Sequence, residues 1–198
     1  STGIRGGRQK GSEAKASDMA FVGRLDAAPV PGIFFGGSVY HGGSGQDQFE
    51  INGQNLNVGT TIGEVHGQIQ VRGFDIRGLY ARASLDDVAE LNEVLDFSGD
   101  LSIGKTMQGG YIQLGYNVLS QFFEKPGITP YYRFESLDTQ AVMPVGFSKN
   151  LALARTFHTF GFEFQPIYNI VLKTDYQWIR NEAKTGLNQF NIAMGYSF

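Results

Sequence analysis

The stretch Gln189-Phe190-Asn191-Ile192-Ala193-Met194-Gly195-Tyr196-Ser197-Phe198 decides the fold. Phe190, Ile192, Met194, Tyr196 and Phe198 share one parity; Gln189, Asn191, Ala193, Gly195 and Ser197 share the other. A period of two places the first set on one face of a β-strand and the second on the opposite face. About ten tilted residues is also the length with which a strand crosses a bilayer. The sequence finishes on an aromatic with no polar tail.

The same alternation recurs upstream. Strands are expected over Met19–Ala27, Gly32–His41, Thr60–Val71, Phe74–Arg82, Met107–Leu119, Ile128–Asp138, Arg155–Gln165 and Tyr168–Arg180. In the third, Val65, Gly67, Ile69 and Val71 oppose Glu64, His66, Gln68 and Gln70. In the eighth, Ile170, Leu172, Tyr176 and Trp178 oppose Asn169, Lys173, Asp175 and Gln177. Breakers stand at Ala28-Pro29-Val30-Pro31, Arg72-Gly73, Ser120–Gly127 and Pro166-Ile167. Polar loops are expected over Ser1–Ser17, Gly42–Val58, Ser84–Thr106, Thr139–Ala154 and Asn181–Leu187. Within Ser84–Thr106, Asp87 and Glu90 read as a helix start, and Val88, Leu91 and Leu95 share a face, so a short amphipathic helix is expected there.

Short turns thus alternate with long polar loops, and Tyr80, Tyr132, Tyr168, Tyr176, Trp178 and Tyr196 collect near strand ends on the apolar face. Both features suit an all-β, transmembrane antiparallel barrel, with tight turns on one side, long loops on the other and aromatic girdles at the interfaces. A soluble sandwich also alternates, but it would bury its bulky Phe residues between sheets, and here the opposite face carries charge and Gln. About nine strands is an odd number, whereas bacterial single-chain barrels are even. The expectation is one barrel domain over residues 1–198 that forms the C-terminal portion of a larger barrel of about 16–18 strands. Residues 1–17 and 84–106 would then be external loops.

Composition agrees. The 198 residues carry a net charge of -3, which gives nucleic acid no reason to bind, and no Cys. Mean hydropathy is -0.18, and no apolar run approaches the ~18 residues of a spanning helix. Lumen-facing polar residues lower the average of a barrel in the same way. Ser1–Lys10 has no apolar core and is not a signal peptide.

The terminal aromatic, with another aromatic two residues earlier, resembles the C-terminal recognition strand of bacterial outer-membrane barrels; Tyr196 and Phe198 would be the assembly signal. From Ser84 onward the order of motifs resembles a named family. The motifs are Leu85-Asp86-Asp87-Val88-Ala89-Glu90-Leu91-Asn92, Gly109-Gly110-Tyr111-Ile112-Gln113 and Ile128-Thr129-Pro130-Tyr131-Tyr132-Arg133-Phe134-Glu135. Leu137-Asp138-Thr139-Gln140, Pro166 to Tyr176 and Asn188 to Phe198 follow. They resemble the C-terminal half of the phosphate-selective porin O/P-like superfamily over roughly the last 115 residues. The resemblance implies a channel-forming outer-membrane barrel, often a homotrimer, with outer-membrane lipid, lipopolysaccharide and the barrel-assembly machinery as partners. It does not carry selectivity over, because no ladder of Arg and Lys stands in this half.

Gly99-Asp100-Leu101-Ser102-Ile103-Gly104-Lys105-Thr106 matches the P-loop pattern, but Met107-Gln108-Gly109-Gly110-Tyr111 then continues as a strand, and a P-loop must open a helix. His41, His66 and His158 stand on separate strands, so no metal set converges. No Cys nucleophile or nucleophile elbow exists, so neither catalytic residues nor a cofactor are expected. The chemistry lies in the lumen-facing set: Arg24, Asp26, Glu64, His66, Asp75, Arg77, Arg133, Glu135, Glu163, Lys173 and Asp175. These either pair into ladders across neighbouring strands or form opposed stripes with a transverse field. The expected function is passive diffusion of small hydrophilic solutes or ions through an outer-membrane porin. The alternative is a structural barrel with a blocked lumen that anchors a larger envelope complex.

Overall fold

The computed structural model describes residues 4, 11–13 and 15–198. Of the N-terminal stretch expected to be a loop, residues 1–3, 5–10 and 14 lie outside the described residues, and Gly11–Glu13 forms a single 3-10 turn.

The chain is all-β, mostly one antiparallel sheet. Its strands are β1 (Ala20–Val30), β2 (Ile33–Gly43), β5 (Gly59–Val71), β6 (Phe74–Leu85), β7 (Thr106–Tyr116), β8 (Gly127–Val142), β9 (Ala154–Ile167), β10 (Ile170–Asn181) and β11 (Gln189–Tyr196). They lie in that order across a nine-stranded sheet, each bonded to its sequence neighbour, and β1 and β11 form its two edges. The sheet is not closed. A two-stranded hairpin, β3 (Glu50–Ile51) with β4 (Gln54–Asn55), stands in the β2–β5 connection.

Alternation fixes the faces. Registers such as Val65↔Tyr80 and Tyr80↔Gly110 keep one parity together across the sheet. Val65 is 60 % exposed, Ile112 49 % and Phe160 50 %. All three lie in strands with neighbours on both sides, so their exposure belongs to the face rather than to an edge. This apolar face also carries Phe35, Ile76, Phe134, Leu172 and Met194. Tyr132 and Tyr176 lie nearer mid-strand than a girdle requires: Tyr132 packs on Phe160 at 4.9 Å between ring centroids, and Tyr176 meets Trp178 edge-on at 6.1 Å.

The connections segregate largely by length, with residues 117–126 the exception at the short-turn end. Pro31-Gly32, Arg72-Gly73, residues 117–126 and Tyr168-Asn169 lie at one end of the sheet; residues 44–58, 86–105, 143–153 and 182–188 lie at the other. Arg72 (φ 50) and Gly73 (φ 87) are both left-handed, the pair that a two-residue hairpin turn needs. Two breakers are displaced from the expected places. β1 runs through Pro29, which sits in an irregularity between Ala27 and Val30 on an edge strand, where no ladder bond needs its N–H. β9 runs through Pro166-Ile167 to a turn at Tyr168-Asn169, because Gln165 is already the last residue paired with β8.

The core is at the long-loop end. Leu56, Val58, Ala83, Leu85, Val88, Leu91 and Met107 form one buried cluster, with Ile62, Leu95 and Ile103 packed against it. Ile62, Ala83 and Met107 have the parity of the polar face. Helix α1 (Val88–Val94) and the β2–β5 loop therefore fold in over the polar face, not over the apolar one. The expected helix is present, but its expected cap is not: Asp87 is left-handed (φ 54) and its carboxylate bonds no helix amide. Two fully buried amides fasten the loops. Asn92 donates to Ile103 O (3.0 Å) and accepts from Ile103 N (2.7 Å). Gln140 donates to Ser102 O (2.6 Å) and accepts from Asn150 N (2.6 Å). Thr106 opens a strand, so the P-loop-like stretch leads into no helix.

Candidate functional site

The polar face brings the whole sequence-expected set together. Registers carry it across the sheet: Arg24↔Ser38↔Glu64, Asp26↔Gly36↔His66, and Gln68↔Arg77↔Gln113↔Arg133. Beyond these run Tyr111↔Glu135, Thr129↔Glu163↔Lys173 and Gly161↔Asp175↔Asn191.

The charges do not pair as ladders across neighbouring strands. They pair along one strand at a spacing of two. Arg24 Nε donates to Asp26 at 2.8 Å, Arg77 Nε to Asp75 at 2.8 Å, and an Arg133 terminal nitrogen to Glu135 at 2.9 Å. Side chains two apart on a strand share a face and lie close enough for a long guanidinium to reach its own neighbour. Lys173 and Glu163 are cross-strand partners yet make no bridge; Lys173 Nζ sits 4.5 Å above the Tyr131 ring instead. Arg133 lies 3.8 Å over the Tyr111 ring. Cation over ring is worth about 0.5–2 kcal/mol, and it holds Lys173 without a carboxylate.

Longer reaches use glycine. Asp26 crosses β2 to come within 3.3 Å of His66 Nε2 on β5, and His66 Nδ1 meets Glu64. The strand residue beneath is Gly36, where a Cβ would overlap the Asp26 carboxylate. Tyr131 crosses β9 to donate 2.9 Å to Asp175 on β10, which also accepts 2.7 Å from Asn191 on β11. The residue beneath is Gly161, where a Cβ would run into the Tyr131 ring. Each device ties three neighbouring strands together over a residue with no side chain.

Alternation alone would have placed three residues absent from the expected set. Tyr111 shares parity with Gln113, and Tyr131 with Arg133. Arg155 shares parity with Phe157 and Glu163. Outside the strands, Lys149 bridges Asp138 (2.8 Å) and Glu182 (3.1 Å). Those two carboxylates hold its ammonium above the usual lysine range. The three histidines lie on β2, β5 and β9, and no group of three or more His, Cys, Asp or Glu gathers among the described residues.

The apolar face is nearly free of charge. Its charged strand residues are Arg82, Asp138 and Arg180, all toward the long-loop end. Asp138 is engaged by Lys149. At the short-turn end the same face shows Phe74, Tyr116, Tyr168 and Tyr196, with Phe74 and Tyr116 4.7 Å apart between ring centroids.

No family model matches the chain. It is 29 % identical over 187 residues to an uncharacterised protein of Aquifex aeolicus, an alignment that covers 89 % of this chain and 40 % of that protein. The chain thus spans less than half the length of the relative it matches.

Proposed function

We propose that this chain is the C-terminal part of an outer-membrane porin of the phosphate-selective porin O/P-like kind, which passes small hydrophilic solutes or ions by diffusion. The observation that carries this reading is the division of charge between the faces of one sheet. One face holds Arg24, Asp26, Glu64, His66, Asp75, Arg77, Arg133, Glu135, Glu163, Lys173 and Asp175; the other is apolar except near the long-loop end. A soluble single sheet would leave Val65, Ile112 and Phe160 in water. A bilayer covers them, and a water-filled lumen hydrates the opposite face.

Closure into a barrel belongs to the same proposal. β1 and β11 each leave a row of backbone groups unpaired, which a membrane does not tolerate. Further strands would join them, and the greater length of the Aquifex relative leaves room for such strands. The loops folded over the polar face would then narrow the outer mouth. Arg82 and Arg180 would meet lipid and lipopolysaccharide phosphates. The barrel-assembly machinery would read Tyr196 and Phe198, and assembly into trimers follows from the family resemblance.

The test is single-channel recording with the full-length protein in planar bilayers. Steady conductance steps in neutral salt are expected. A correctly inserted protein with no conductance would overturn the channel and favour a structural barrel whose lumen the in-folded loops block.

A further inference from the structure

We propose that a polar hollow at the short-turn end of the polar face binds a single neutral sugar ring, held by Gln113, Thr129 and Glu163. The proposal rests on the channel reading for the route by which the sugar arrives.

The hollow holds about 370 Å³, within the usual range for small-molecule sites. Gly115 makes the room. It pairs with Asp75 on one neighbouring strand and with Tyr131 on the other, and it puts no side chain between them. A Cβ at that position would stand 3.2 Å from the Thr129 methyl group. The charge on this side of the hollow is already balanced. Arg77 Nε donates to Asp75 at 2.8 Å, and Gln68 and Gln70 donate to the same carboxylate at 3.4 and 3.3 Å.

Other groups that line the hollow are open. Among the described residues, the side chains of Gln113, Thr129 and Glu163 make no hydrogen bond and no ion pair, and all three border the same space. Each is half-buried. Thr129 and Glu163 are register partners, and Gln113 pairs with Arg77. Lys173, opposite Glu163 on the next strand, stays 4.5 Å above the Tyr131 ring. Asn117 also borders the hollow. Its Oδ1 accepts from Leu119 N at 3.1 Å and Ile128 N at 3.2 Å, which leaves its amide nitrogen as one more donor.

The open set mixes amide donors, a carboxylate acceptor and a hydroxyl that does both. A sugar hydroxyl also donates once and accepts twice, so a ring with several of them answers every member of the set. An anion is disfavoured, because Arg77 is neutralised by Asp75 and the Glu163 carboxylate would repel it. An ammonium would satisfy Glu163 alone and leave the amide N–H groups nothing to donate to. A ring without its hydroxyls would leave the half-buried groups unpaired, and a site built to bond hydroxyls rejects the analogue that lacks them.

The test uses the full-length protein, with D-glucose as probe and cyclohexanol, n-butylamine and inorganic phosphate as comparators. Binding is read by calorimetric titration in a detergent without a sugar headgroup, and by block of single-channel current. Glucose should bind saturably and at least about tenfold more tightly than each comparator, a difference of about 1.4 kcal/mol. Gln113→Leu and Glu163→Leu should each weaken glucose about tenfold, and Glu163→Gln, which keeps an acceptor, should restore part of the loss. Unchanged glucose affinity in either leucine variant overturns the proposal. So does any comparator that the unaltered protein binds as tightly as glucose, a result that needs no variant to fold. A protein that binds glucose but does not conduct refutes the channel and leaves the hollow assigned. One that conducts but does not bind glucose does the reverse.

Discussion

Tyr131 reaches Asp175 only because Gly161 offers it nothing to collide with. A hydrogen bond to a charged group is worth about 1.5–3 kcal/mol. Gly161→Ala should therefore destabilise the folded protein by about 1–3 kcal/mol, read as a lower urea midpoint. With Tyr131→Ala already present, Gly161→Ala should cost little, since the ring it strikes is gone. Costs that simply add in that double-mutant cycle would show that the two residues are not coupled. Leu172 lies on the apolar face and Val171 on the polar one. An Arg in the lipid costs about 2–4 kcal/mol near the midplane. Leu172→Arg should impair folding into vesicles while Val171→Arg is tolerated, and equal tolerance of both would mean that no bilayer covers the apolar face.

Among the elements, α1 depends on Asn92, whose amide holds the backbone of Ile103 at both its N–H and its C=O. Asn92→Leu leaves two buried backbone groups unpaired, so a loss of about 2–4 kcal/mol is expected, together with faster protease cleavage within residues 86–105. Unchanged cleavage would mean that the core cluster alone holds the helix. Just beyond β11, Phe198→Asp should lower outer-membrane insertion, measured by cell fractionation. The faces of these elements were legible because a period of two survives every local irregularity. Their ends were less so. Pro29 and Pro166 are strong breakers on paper, yet each lies where no neighbour asks for its amide. The β3–β4 hairpin was missed, although Asn52-Gly53, both left-handed, is the usual sign of its turn. The eleven polar residues from Arg24 to Asp175 share one face, as alternation implied. The pairs two apart, such as Arg77 with Asp75, already stood close in the sequence; the links over Gly36 and Gly161 were not legible, because they join residues from strands that are not neighbours.

At the scale of the molecule, β1 and β11 run in the same direction, as the first and last of nine antiparallel strands must. Antiparallel closure by further strands therefore needs an odd number of them, which gives an even total. The polar face offers such a barrel Arg24, Arg77 and Arg133, each with its own carboxylate two residues away. Local neutralisation leaves no unbalanced basic column of the kind a phosphate-type channel would need. Weak ion selectivity is expected, with a reversal potential near zero across a salt gradient. A strongly anion-selective channel, abolished by neutralising Arg77 and Arg133, would reject the balanced arrangement.

The position of Arg82 also sets a depth gauge. From Phe74 to Arg82 is eight residue steps on β6, about 27 Å of strand at ~3.4 Å per step and roughly 21 Å of height at a tilt of ~40°. A thicker hydrocarbon layer would draw the guanidinium below its surface, and a thinner one would bare Phe74. The protein should therefore fold fastest in vesicles of short-chain lipid and progressively slower as the acyl chains lengthen. Arg82→Leu should flatten that dependence on chain length.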